Sequence, residues 1–178
     1  DMRFRSKDGI HRASVTRESV KLKMMDPTQL DLEIPLELDD RELSASYVNT
    51  GVPHVVVAVE DVEKVDVLGL GKEIRYLPKF QPEGTNVDFV QVLRHGGVRV
   101  RTYERGVEDE TLACGTGCVA AALVMSIRRG LASPVECLTA GGEVLKVHFY
   151  RRDDLVSNVY LEGGALLVFE GRFPVPNG

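Results

Sequence analysis

Five residues, Ala113-Cys114-Gly115-Thr116-Gly117, run directly into an almost wholly apolar stretch, Cys118 to Ile127. The pattern predicts a thiol at the first turn of an enclosed helix. Unpaired N–H groups and the positive dipole end there favour a thiolate over a thiol. Such a group can take up or return a proton, or attack an electrophile, beside a bound anion. Gly115 and Gly117 strip side chains from the turn where backbone donors would meet that anion, and Thr116 adds a hydroxyl. Most free cysteines are no more than small buried apolar residues. The glycine-flanked helix start is what sets Cys114 apart, whereas Cys118, one turn deeper, and Cys137, heading a strand, read as core.

Glu104-Arg105-Gly106 precedes Cys114 by about ten residues. In the plain reading it is a solvated turn with an exposed ion pair. In the functional reading Arg105 clamps a carboxylate in bidentate fashion, while Glu104 holds an ammonium or tunes the thiol. The residues alone leave these two even. His54 closes the Gly51-Val52-Pro53-His54 turn, where a lone histidine is usually structural. Asn86 in Gly84-Thr85-Asn86 is ordinary turn chemistry before a strand. His11, His95 and His148 do not group with cysteine or carboxylate at metal spacing, so no metal site is expected. Neither Gly141-Gly142 nor Gly163-Gly164 is followed by a helix, and no dinucleotide or P-loop pattern occurs.

The elements that must position these residues are mostly short strands. Met2–Ser6 and Ile10–Thr16 flank Lys7-Asp8-Gly9 as a hairpin, because Asp-Gly suits a turn with positive φ. Val20–Met24 continues the meander. Pro27 to Asp40, acidic and proline-containing, reads as a connection or irregular edge. Leu43–Thr50 and His54–Glu60 are strands, Val65–Tyr76 is a helix weakened by Gly69 and Gly71, and Pro78 stops it. Val87–Leu93 and Val98–Tyr103 form the clearest hairpin. Val135–Leu138, Val144–Tyr150, Val156–Leu161 and Ala165–Phe169 are further strands. From Val119 to Ile127 only Ser126 is polar, so that helix has no solvated face. Gly130 is suited to its C-terminal cap. The expected class is α+β, a mainly antiparallel sheet curled around one central buried helix, and not a βαβ repeat.

Composition sets outer bounds. The chain has 178 residues, 43% hydrophobic and 28% charged, ordinary for a globular domain or two small lobes. A formal net charge of −5 without a basic block argues against nucleic acid. No apolar run reaches membrane-spanning length, so no membrane partner is expected. Three cysteines without a framework spacing read as reduced thiols in the cytoplasm. The first residue is Asp1, which fits a piece of a longer protein.

Tyr103-Glu104-Arg105-Gly106, followed by Glu110-Thr111-Leu112-Ala113-Cys114-Gly115-Thr116-Gly117, resembles the second-half signature of the diaminopimelate epimerase family. Gly84-Thr85-Asn86-Val87-Asp88-Phe89 and the Pro53-His54 turn follow in that family's order. The resemblance runs from about Arg3 to Phe173. It implies a cofactor-independent isomerase of lysine biosynthesis that converts LL- to meso-diaminopimelate. It also implies two lobes, each a sheet wrapped around a helix, with the active site between them. Carried over, Cys114 is one of two acid/base thiols, and Gly115 and Thr116 bind the substrate α-carboxylate. Asn86, Glu104 and Arg105 hold the distal amino-acid end, and His54 and Glu104 help set thiol ionisation. Two departures stand out. The family's Cys-Gly-Asn-Gly type motif of the first lobe is absent, and Val52 stands where the family places an asparagine. Residues 1–26 are then expected to be strands of the first lobe, 27–162 the second lobe, and 163–178 a strand returning to the first. The partners implied are an amino-acid substrate, the missing first lobe and, from the family, a second copy in a homodimer. Taken alone, the chain is expected not to epimerise.

Three other readings compete. A proline or hydroxyproline racemase of the same superfamily would need no charged distal clamp. A hydrolase would use Cys114 and His54 as nucleophile and base. A lobe that only binds or assembles would need no second thiol.

Overall fold

The computed structural model describes residues 1–7, 9–39, 41–172 and 174. Its strands are β1 (Met2–Ser6), β2 (Gly9–Val15), β3 (Val20–Lys23), β4 (Gln29–Glu37), β5 (Glu42–Asn49) and β6 (Pro53–Ala58). Helix α1 (Val67–Arg75) separates these from β7 (Asn86–Val92), β8 (Val98–Glu104) and the short β9 (Asp109–Thr111). Helix α2 (Gly115–Arg129) leads to β10 (Val135–Leu138), β11 (Val144–Arg152) and β12 (Leu155–Gly163). All twelve strands join one sheet, ordered β1-β2-β3-β12-β11-β10-β8-β7-β6-β5-β4, with β9 paired to β8 outside that path. The class is α+β and mostly sheet.

Most pairings are antiparallel, but β6 runs parallel to β7, and β8 parallel to β10. This departs from the meander expected above. A parallel neighbour needs a crossover of a dozen or more residues. The segment bearing α1 supplies the first crossover, and the segment bearing β9 and α2 the second.

These crossovers put helices on both faces of the central strands. Val56, Val90, Val98 and Val100 point to α2, whereas Val55, Val57, Val87, Phe89 and Tyr103 point to α1. Burial on both faces is why β6 reads as a nearly continuous apolar run, whereas β7 keeps Asn86, Asp88 and Gln91 among its apolar residues. Helix α2 is buried along most of its length and packs against β5, β6, β7, β8, β10, β11 and β12. Each fully buried valine or leucine there contributes roughly 1.5–3 kcal/mol, which anchors the helix end that carries Cys114. Gly130 closes α2 in the left-handed region at φ 71°. Gly71 does not merely weaken α1. A β-carbon there would lie 2.5 Å from Cβ of Tyr103, so the glycine is the point where α1 meets β8.

Residues 29–37 form the irregular edge expected for the Pro27 to Asp40 stretch, a strand at one end of the sheet with a shift of register between Asp31 and Ile34. There the Leu32 carbonyl accepts from the Ser46 hydroxyl at 2.6 Å and from Arg128 Nη1 at 3.1 Å, which satisfies the irregularity. The expected strand Ala165–Phe169 does not form. Leu166, Leu167, Val168 and Phe169 are exposed and pair with no strand among the described residues. Asp8 of the first hairpin lies outside those residues. No helix of the described residues is long and apolar enough to cross a membrane.

Candidate active site

Side chains alternate along a strand, so even-numbered residues of β6, β7 and β8 face α2. Near the start of α2 those positions are not apolar. They are His54, Asn86, Asp88, Thr102 and Glu104. The ladder sets His54 beside Asn86, Val56 beside Asp88, and Asp88 beside Thr102. Asp88 joins the group: its Oδ2 lies 2.7 Å from His54 Nδ1, and its Oδ1 accepts from the Thr102 hydroxyl at 2.7 Å. His54 and Asp88 are both 0% exposed. His54 Nε2 is buried with no hydrogen-bond partner among the described residues.

Cys114 is the N-cap of α2 and is 9% exposed. Its Sγ lies 3.5 Å from the Thr116 hydroxyl. Burial first, then the Asp88 carboxylate, push this thiol from an ordinary 9.0 up to about 12, with Glu104 adding to the rise. The Thr116 hydroxyl and the Gly117 N–H pull the other way. A helix dipole end is worth only about 0.3–1 kcal/mol, too little to offset that burial. The helix start therefore does not yield the thiolate expected from sequence; in this chain the group rests as a thiol. Gly117 also has another purpose than exposing a donor, since it is buried against Asp88 and Thr102. Gly115 packs toward Leu161, where a β-carbon would come within 2.9 Å of Cδ2.

Cys118 and Cys137 are core, as expected. Cys137 Sγ approaches the Cys118 carbonyl at 3.5 Å, and contact with Cys137 together with burial holds Cys118 as a thiol. All three cysteines are free.

The Glu104-Arg105 pair ends β8 and enters the turn toward β9. The Glu104 carboxylate is half-buried and makes no hydrogen bond among the described residues. Asn86 is committed within the protein: its Nδ2 donates to the Pro53 carbonyl at 2.9 Å, and its Oδ1 accepts from the Arg105 N–H at 2.9 Å. It thus ties the Pro53-His54 turn to Arg105. Arg105 donates to the Glu83 carbonyl at 3.1 Å and borders a cavity of about 640 Å³ with Tyr47, Asn49 and Pro53. Cys114, His54 and Glu104 do not line that cavity. The structure groups His54, Asn86, Glu104 and Arg105 at the strand ends, with Cys114, Gly115 and Thr116 at the facing helix end.

Three residues with work at this site had no role assigned from sequence. Asp88 could have been found, because a carboxylate inside Val87–Leu93, a run of buried strand, demands a partner. Thr102 had no such signal. Glu108 sits at φ 61° and accepts from Gly106 N, Arg75, Tyr76 and Tyr103, closing the turn that presents Arg105.

Comparison with known proteins places this geometry. The family model described as diaminopimelate epimerase matches residues 46–166. A diaminopimelate epimerase of Aquifex aeolicus is 48% identical over 174 residues, covering 96% of this chain and 61% of the relative. One from Chlorobaculum tepidum is 41% identical over 172 residues, covering 95% and 64%. The chain therefore spans about three fifths of the length of the curated relatives it matches. Among solved structures, a probable proline racemase from Agrobacterium radiobacter K84 superposes with a TM-score of 0.70 at 17% identity, covering 98% of this chain and 60% of that one. That likeness concerns the fold.

Proposed function

This chain belongs to the diaminopimelate epimerase family, and from that premise we propose that it supplies one side of a cofactor-independent, two-thiol amino-acid epimerase. The substrate is diaminopimelate, interconverted between its LL and meso forms. The observation that carries this reading is the grouping of Cys114, on the helix end, with His54–Asp88 and Glu104-Arg105 at the strand ends.

Inverting a carbon centre means removing a proton from one face and returning one to the other. Cys114, held as a thiol, is the donor in one direction, and a thiolate on the opposite face is the acceptor. Cys118 and Cys137 are buried in the core and cannot face the substrate, so the opposing thiol comes from outside these residues. The N–H groups of Gly115 and Thr116 at the α2 start receive the α-carboxylate, where developing charge is stabilised by fixed dipoles in a closed site. Arg105 and Glu104 hold the distal carboxylate and ammonium, with Asn86 fixing Arg105. A charged distal clamp of this kind favours diaminopimelate over proline.

In this reading residues 27–162 form one lobe, its sheet wrapped around α2, and residues 1–26 and 163–178 belong with the other lobe. The exposed apolar run Leu166–Phe169 supports that division, since its cover lies elsewhere. Three free thiols suit a reducing cytoplasm.

The test is solvent deuterium entering Cα of LL-diaminopimelate with the protein carrying both lobes, against the same assay with proline. Exchange with diaminopimelate, abolished by Cys114→Ser, is expected. Exchange with proline alone would replace this reading by the racemase one. Turnover by the 178-residue chain alone would overturn the two-lobe arrangement.

A further inference from the structure

We propose that Asp88 is a positioning residue of this site: it fixes the buried His54 ring in the tautomer that carries its proton on Nδ1, leaving Nε2 as a bare acceptor. The inference rests on the epimerase reading for its use, but not for its geometry. An ionised carboxylate only accepts, so at 2.7 Å from Asp88 Oδ2 the His54 Nδ1 must be the donor. The other carboxylate oxygen is held by the Thr102 hydroxyl at 2.7 Å, so Asp88 cannot swing away. Asp88 also abuts the first turn of α2 at Gly117, which ties the ring to the helix that carries Cys114.

The plain alternative is a buried structural pair. A structural pair would leave no loose end, because an orphaned buried nitrogen costs about 1–3 kcal/mol. Here Nε2 is enclosed and unpaired among the described residues, and the same Asp88 that holds Nδ1 also bears on the Cys114 thiol. A fixed Nδ1–H with a free Nε2 is the arrangement by which an imidazole receives a proton and a neighbouring carboxylate balances the charge.

Nitrogen-15 spectroscopy of the full-length protein tests this without any turnover. At neutral pH the His54 signals are expected to show Nδ1 protonated and Nε2 bare, and Asp88→Ala should abolish that preference. Should Asp88→Ala not fold, Asp88→Asn removes the charge with little change of shape and should weaken the same preference. A proton on Nε2 in the unaltered protein, or a tautomer indifferent to both substitutions, overturns the proposal. In the epimerase assay Asp88→Asn is expected to lower kcat on the order of 100-fold with KM within about twofold. A change confined to KM or to Tm would leave Asp88 a structural residue. If the protein has no epimerase activity at all, the function proposed above fails, while the spectroscopic result still decides this one.

Discussion

Gly117 and Asp88 meet with no space for a methyl group between them: a β-carbon on the glycine would lie 2.4 Å from Asp88 Oδ1. The same carbon would lie 3.0 Å from the Thr102 hydroxyl. Alanine ordinarily stabilises a helix by about 1 kcal/mol over glycine. At this position overpacking dominates, because Asp88 is pinned from both sides and cannot give. Gly117→Ala should therefore lower stability by roughly 1–3 kcal/mol, seen as a reduced urea midpoint at unchanged slope. An unchanged or raised midpoint would show the contact to be loose.

Cys114 reactivity should follow its enclosed, carboxylate-flanked setting. Its ionisation lies near 12 rather than at an ordinary thiol value. Alkylation by iodoacetamide in this chain should thus be slow at neutral pH and still be rising at pH 10. Linkage has the matching sign: the folded state binds this proton more tightly than the unfolded state, so its contribution is full below the unfolded pKa and is lost as pH rises through the folded one. A reaction plateau below pH 9 would contradict the assignment.

Glu108 holds the turn behind Arg105 in a backbone conformation that most residues avoid. Its carboxyl sits below the usual range, chiefly because the Gly106 N–H donates to it, with Tyr76 and Arg75 assisting against burial. A depressed carboxylate stabilises above its unfolded pKa and loses that effect as pH falls through the folded one. Glu108→Ala should cost about 0.5–1.5 kcal/mol, because its hydrogen bonds lie mostly at the surface. It should also flatten the acid limb of the stability curve below about pH 4.3, as thermal melts from pH 3 to 7 would record.

Asn86 is expected to act on substrate through Arg105. Replacing it by alanine removes both the Pro53 and the Arg105 bridge. Asn86→Ala should raise KM for diaminopimelate about tenfold or more, with a smaller fall in kcat. A loss confined to kcat would mean that the amide acts at the reacting carbon instead.

Periodicity and composition were enough to find α2, its cap at Gly130, the β7–β8 hairpin and the limits of β10, because each is marked by local chemistry. What they could not show is pairing between distant segments. An apolar run such as Val55–Val57 looks alike whether its neighbour is parallel or antiparallel, so both crossovers went unseen. The acids and Pro35 left β4 open between a connection and an irregular edge, and Ser46 together with Arg128, 96 residues from Leu32, completes its irregular point. Ala165–Phe169 has strand-like residues but no ladder to join. At the site, residue type singled out Cys114, whereas His54, Glu104 and Arg105 were assigned through the family resemblance. The direction of the Cys114 ionisation depended instead on burial and on Asp88, and neither can be read from a helix-start motif.

The ladders across β1, β2, β3 and β12 align Met2, Ala13, Leu22 and Leu161 in one row. With strands about 4.8 Å apart, Met2 and Leu161 are separated by about 14 Å despite lying near opposite ends of the sequence. The amino-terminal hairpin is thus coupled to β12 through consecutive ladders, so loosening β12 should speed amide exchange in β1 and β2 as well.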